Sequence, residues 1–309
     1  MLTSLFRKST PLNYALVIIA ATVLFFMYQF GHVYRLIGSV NWLEKTGLWL
    51  VILFSMFTAN FIVKKNTISR DSAYTVVCYL MFLVCFPSLF DSPNLILSHF
   101  FILLALRRLV SLHSLKASKE KIFDASLWIF VAALFHFWSI LFIALVFISI
   151  LFHVSRDYRN WILPFMAFLA IATLFMLYAY MFDASVFEHL QEKMQTNVSI
   201  DYFTDQSQNI ALSTYAVMAL YFTAAMVFTL GHRPLQLQSS YKKIVASFFI
   251  GVVIFLISPV KSNDLLVFTV APLSFMATAT IEYKYPTIKE DIILAVVIGA
   301  GMFLFFLQL

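Results

Sequence analysis

Residues able to do chemistry gather in a few short stretches of this sequence. One is Phe90-Asp-Ser-Pro-Asn94, with His99 just beyond it. Others are the pair Arg35 and Glu44, the stretch His136-Phe-Trp-Ser139, and the stretch Lys261-Ser-Asn-Asp264. A carboxylate beside a cation, close to hydrocarbon, suits group transfer on a phosphate-bearing lipid. The cation holds the phosphate, and the carboxylate takes the proton of an attacking hydroxyl. On that reading Glu44, Asp91 and Asp264 are candidate catalytic groups. Arg35, Asn94, His99, His136 and Lys261 are candidate substrate-binding groups.

Each of these residues has a plainer explanation. Asp91 lies beside Ser92, which reads as a helix N-cap with Pro93 at the first helical position, and an acid there favours the positive end of the helix. Asp264 follows a Ser262 or Asn263 cap in the same way. Glu44 and Lys45 are adjacent and can pair at a membrane interface, while Arg35 and Lys261 can act as snorkelling anchors. His99 and His136 can be satisfied by a neighbouring helix. His32, His99, His136 and His189 also permit a metal-dependent membrane oxidase, but no two have the spacing H-x-x-x-H, and no metal is assigned. Phosphate loops, G-x-G-x-x-G, G-x-S-x-G and zinc-type cysteine motifs are missing, which disfavours soluble nucleotide chemistry and ATP-driven transport.

The elements that position these residues are membrane helices. Of 309 residues, 62% are hydrophobic and 12% charged, against about 25% charged in soluble domains. Apolar runs recur from Asn13 to Leu309 with no polar block able to fold alone, so one integral membrane domain, 1–309, is expected. The runs predict an all-α polytopic bundle of about eleven spans: 14–30, 47–63, 73–89, 94–109, two within 122–152, 161–182, 210–230, 244–258, 265–281, and a last one ending at the C-terminus. A full span needs about 20 residues, so 122–152 is too long for one and too short for two complete ones. Charge decides for a hairpin of two short helices with its tip at His136–Ser139. That places the acidic loop 183–209 outside and the basic loop 231–243 inside. With the N-terminus inside and the C-terminus outside, only Arg35, Lys45, Lys193 and Lys261 of the 21 Lys and Arg residues fall outside. The +6 formal charge is then an orientation signal, and no nucleic-acid partner is expected. Cys78 and Cys85 fall seven residues apart on one helix, about 10 Å along its axis, beyond disulfide reach.

Several stretches resemble a family. Met1-Leu-Thr-Ser-Leu-Phe-Arg-Lys-Ser-Thr-Pro-Leu-Asn13, Phe90-Asp-Ser-Pro-Asn94, Lys121-Ile-Phe-Asp-Ala-Ser126 and Ala271-Pro-Leu273 are similar to an uncharacterised family of flavobacterial-type membrane proteins, some of them labelled carotene monooxygenase. A more distant likeness is to the C-type glycosyltransferases and O-antigen polymerases, polytopic enzymes that carry an acid in the first outer loop and an irregular turn late in the chain. Glu44 and Lys261-Ser-Asn-Asp-Leu-Leu-Val-Phe-Thr-Val-Ala-Pro272 stand at those places. The resemblance implies a glycosyltransferase-like protein of the bacterial inner membrane, acting at its outer face on polyprenyl-phosphate sugars or envelope glycans. Such a lipid-linked sugar would be donor substrate, with no separate cofactor. The alternative is a non-catalytic membrane subunit or transporter with a membrane protein partner.

Overall fold

In the computed structural model, residues 5–33, 42–182, 193–197, 205–283 and 288–309 are described. Arg35, Lys284, Lys289's side chain and most of the acidic loop 183–209 lie outside them. Among the described residues the chain is helical throughout, with eleven α-helices of ten residues or more. They are α1 (Pro11–Val33), α2 (Trp42–Lys65), α3 (Tyr74–Leu83), α4 (Pro93–Val110), α5 (Ser118–Phe135) and α6 (Ile143–His153). After them come α7 (Arg159–Met181), α8 (Gln206–Thr229), α9 (Leu235–Ile257), α10 (Val267–Ile281) and α11 (Ile288–Gln308). Eight segments are long and apolar enough to cross a membrane. The exceptions are α3 and α6, which are short, and α5, whose first turns carry Lys119, Glu120, Lys121 and Asp124.

The core is built around α10, which is almost wholly buried and packs against α3, α4, α8 and α9. A helix apolar on every side and closed off on every side is the expected centre of such a bundle. Two glycines allow the closest approaches. A Cβ at Gly251 of α9 would lie 2.7 Å from Thr269 Cγ2 and 3.1 Å from the Phe268 carbonyl carbon of α10. One at Gly301 of α11 would lie 2.9 Å from the Met81 carbonyl oxygen of α3. With lipid as apolar as leucine, such small-residue contacts supply the van der Waals packing that holds membrane helices together. The outward faces are apolar too: α7 exposes Phe165, Leu169, Leu174 and Tyr180, and α8 exposes Val217, Leu220 and Phe228. Apolar surface on this scale fits a lipid environment.

The expected third span divides into α3 and a 3₁₀ turn, Pro87–Asp91. Pro87 is the reason, because the residue before a proline is forced out of the helical region, and Phe86 has φ −132° and ψ 76°. The segment 122–152 is broken as expected, but at one residue. His136 is extended (φ −134°, ψ 108°), and Phe137–Phe142 forms a 3₁₀ helix leading into α6. The expected tip 136–139 is therefore the start of the returning leg. That leg, six 3₁₀ residues and eleven α residues, measures about 28 Å, close to the ~27 Å of α5. Lys119 Nζ at the start of α5 lies 3.2 Å from Asp157 Oδ2 just past α6, so the chain goes out and comes back. The expected caps differ as well. Ser92 stands at the N-cap position of α4 with Pro93 behind it, but its side chain makes no capping bond. Ser262, at the N-cap position of the 3₁₀ turn leading into α10, makes none either. Asp205, by contrast, caps α8 by accepting from Ser207 N at 3.0 Å.

Candidate functional site

Two separate polar networks tie the turns together, one at each end of the bundle. At the basic end, Glu282 accepts from Ser69 Oγ, Arg70 N and Ser72 Oγ, and Arg233 donates to the Ala279 carbonyl. There too Tyr241 Oη donates to the Ile68 carbonyl. At the other end, Lys45 Nζ meets Asp91 Oδ1 at 2.6 Å, and Ser88 Oγ donates to Asp264. Asn263 Nδ2 donates to the Gln208 carbonyl at 3.0 Å, and Trp138 Nε1 to the Gln195 carbonyl at 3.3 Å.

The second network encloses a cleft of about 430 Å³. Three turns far apart in sequence form its wall: Asp91–Leu95 at the start of α4, Phe135–Phe137 at the hairpin break, and Ser258–Leu265 between α9 and α10, with Lys193 beside them. Local chain chemistry places each one. Pro93 opens α4 at the first helical position, where its missing N–H costs nothing, and Pro259 follows the end of α9, where a proline stops a helix. His136 is held in its extended break by Ser258 Oγ, 3.4 Å from Nε2, and by the Phe268 ring, 5.5 Å between centroids. The cleft therefore offers a carboxylate, an imidazole, an amide and an ammonium group against a mostly apolar wall.

The family follows from comparison of the whole sequence. A model of a family of unknown function, DUF6427, matches residues 1–309. The chain belongs to that family. No curated protein and no solved structure matches it. Membership of a family of unknown function agrees with the expectation of an uncharacterised family, but it names no flavobacterial relative and brings no activity with it. Neither the carotene monooxygenase label nor the C-type glycosyltransferase likeness gains a named relative.

In this DUF6427 chain the cleft gathers some of the expected site residues and leaves out others. Asp91, Asn94 and His136 line it. Asp264 lies directly behind the lining residues Ser262 and Leu265, buried and bonded to Ser88. Lys261 is committed elsewhere: from the turn after α9 its ammonium donates back to the Phe255 and Leu256 carbonyls, capping the end of that helix. Burial there holds its pKa below the ordinary lysine value. Glu44 is exposed in the first turn of α2 and does not line the cleft. Its expected partner Lys45 pairs with Asp91, so the Glu44–Lys45 pair is replaced by a contact across 46 residues. His99 is buried, with Nε2 at 2.9 Å from Tyr79 Oη, and Phe268 stands against both it and His136. Arg35 lies outside the described residues. Among the described residues no three His, Cys, Asp or Glu side chains gather as a metal would need; His189 and the side chain of His32 lie outside them.

Lys193 and Ser258 were not singled out by sequence reasoning. Lys193 is the lone cation expected in an acidic loop, and that isolation is the one signal that could have pointed to it. Ser258 carries no such signal; its role comes from the imidazole that packs against it. Lys45 is the third, set apart only by the fact that it stands on the basic-poor side of the chain.

Proposed function

We propose that this protein crosses the membrane eleven times, N-terminus on the cytoplasmic side, and works at the cleft on the polar head of a phosphate-bearing lipid. The reaction we favour is glycosyl transfer from a polyprenyl-phosphate sugar. Asp91 takes the proton of the acceptor hydroxyl, and the freed oxygen bonds to the anomeric carbon. The bond from that carbon to the phosphate oxygen breaks, and the polyprenyl phosphate leaves with its charge met by Lys193. His136 and Asn94 hydrogen-bond the sugar. What carries the reading is one observation: segments distant in sequence bring Asp91 and Asn94, His136, and Lys193 to one cleft at the basic-poor end. The likeness to C-type glycosyltransferases supplies the envelope glycan and the bacterial inner membrane as the setting.

The test is complementation of a deletion strain, with envelope glycans profiled by mass spectrometry. A general base contributes about 10²–10⁴-fold, so Asp91→Asn is expected to lose product formation by at least about a hundredfold. Lys193→Gln is expected to weaken it, and Glu44→Gln, away from the cleft, to leave it unchanged. Unaltered glycans in Asp91→Asn and Lys193→Gln together would remove the reading.

A second reading, a non-catalytic membrane subunit, is favoured by the Lys45–Asp91 ion pair and by Lys261's use as a helix cap. A stoichiometric membrane protein that co-purifies with wild type, Asp91→Asn and Lys193→Gln alike would carry it.

A further inference from the structure

The opposite end of the bundle holds a second concave site. A pocket of about 280 Å³ is formed where α2 ends, where α4 runs into the 3₁₀ turn Ser111–Ser114, and where α5 begins. Its wall carries Lys65, Arg107, Arg108, Lys116 and Lys121, and no carboxylate lines it. Arg108 pairs with Asp124 on α5 at 2.8 Å, and among the described residues the other four cations form no ion pair with an acid. Lys65, Arg108 and Lys116 are all close enough to act on the Lys121 ammonium. Like charges do not crowd into a concavity without cost, so the arrangement calls for an anion.

The side chains are held in place by neutral groups. Lys121 Nζ donates to the Ser111 carbonyl and to Ser114 Oγ, each at 2.8 Å. Arg107 and Lys65 both stand over the Phe61 ring, at 4.7 and 5.2 Å from its centroid. Lys116 has no partner among the described residues, and it is presented by a strained turn. Leu115 and Ala117, on either side of it, both have left-handed backbones, φ 54° and 49°. Non-glycine residues adopt that conformation at a cost of order 1 kcal/mol or more, and it recurs at ligand clamps.

The setting distinguishes one source of anion from another. Phe61 and Leu115, beside the pocket, are 42% and 57% exposed, so the cations are bordered by apolar surface on the side where a lipid chain would run. Basic pockets between membrane helices are a known way of holding anionic headgroups. We propose that this pocket binds the headgroup phosphate of an anionic phospholipid, with Arg107, Lys116 and Lys121 as its ligands and Phe61 against the acyl chain.

The test uses the full chain in phosphatidylcholine nanodiscs with and without phosphatidylglycerol, with retained lipid read by mass spectrometry of the extracted protein. Wild type is expected to retain phosphatidylglycerol over phosphatidylcholine and to release it as salt is raised. Lys116→Gln, at an exposed side chain outside the core, is expected to cut retention about fivefold, the worth of one basic residue at an anionic surface. Lys116→Arg should preserve retention. The Arg107→Gln/Lys121→Gln variant should lose more, its fold checked by its elution profile. Equal retention of both lipids by wild type, or undiminished phosphatidylglycerol in Lys116→Gln, would overturn the proposal. Displacement of the lipid by inorganic phosphate at low concentration would also overturn it, since the pocket would then be a free-anion site.

Discussion

Two acids at the basic end respond to pH in opposite senses. Burial pushes the Glu282 carboxyl above the ordinary glutamate range, while bonds from Ser72, Arg70 and Ser69 pull it back. A folded pKa above the unfolded one means that the folded state prefers the protonated form. Glu282 therefore adds stability at acid pH, and that contribution is lost as pH rises through the raised value. Asp71 runs the other way. The Lys64 ammonium and the Ser9 hydroxyl hold it below the ordinary aspartate range, so its contribution is present above the unfolded value and lost as pH falls through the lowered one. Asp71 is fully exposed, and its effect is confined to the contact between the N-terminal segment and the loop before α3. Glu282→Ala would orphan two hydroxyls and a backbone amide. The expected loss is about 2 kcal/mol, seen as a lower midpoint in thermal unfolding in detergent. Glu282→Gln keeps an acceptor and cannot titrate, so it should lose less and should lack the decline in stability above the ordinary glutamate range. Equal midpoints for the alanine variant and wild type would show that the three donors find water instead.

At the scale of helices, the packing rests on how closely α9 and α11 approach the core. Thr269, which a Gly251→Ala methyl would strike, is held by hydrogen bonds to Tyr215 Oη at 2.7 Å and to the Leu266 carbonyl at 2.6 Å. It cannot turn aside without breaking them. Gly251→Ala is expected to cost about 1–3 kcal/mol by overpacking, and Gly301→Ala a similar amount against Met81. Gly299→Ala, with nothing within 4 Å, should be neutral to slightly stabilising. A thermal-shift series separates them, and a Gly251→Ala protein as stable as Gly299→Ala would mean that α9 and α10 slide freely. The helices were legible in the sequence because each is an apolar run bounded by charge or proline. Even the break near His136 was readable from the length of 122–152. The contacts were not. Lys45 reaches Asp91 and not Glu44, and Lys261 bends back to the end of α9. Such choices depend on which turns meet, and nothing within a turn's own residues encodes that. The cleft was half legible for the same reason. Asp91, Asn94 and His136 stood out as polar groups with no orientation role, while Lys193 and Ser258 became meaningful only through their neighbours.

For the whole molecule, the proposed sidedness rests on parity and charge. If 118–153 crossed once, residues at its two ends would stand about 30 Å apart across the hydrocarbon. Lys119 and Asp157 are in contact, so the segment contributes two legs, and in the proposed topology every helix after it keeps the alternation. The described cations then divide unevenly: Lys45, Lys193 and Lys261 at the end with the cleft, and the rest at the end with the basic pocket. In the proposed topology the positive-inside tendency puts the crowded end in the cytoplasm. Cys78 and Cys85 are buried and free, so they give no background to a membrane-impermeant maleimide. The expectation is that Val260→Cys, at a residue 76% exposed, is labelled in intact cells with a permeable outer membrane. Tyr158→Cys and Leu235→Cys, 69% and 85% exposed, should be labelled only after the inner membrane is opened. The reverse pattern would invert the molecule and move the cleft to the cytoplasm, which rules out chemistry at the outer face. Labelling of Lys116→Cys and Tyr158→Cys from opposite sides would refute the hairpin itself, and with it the alternation on which both ends depend.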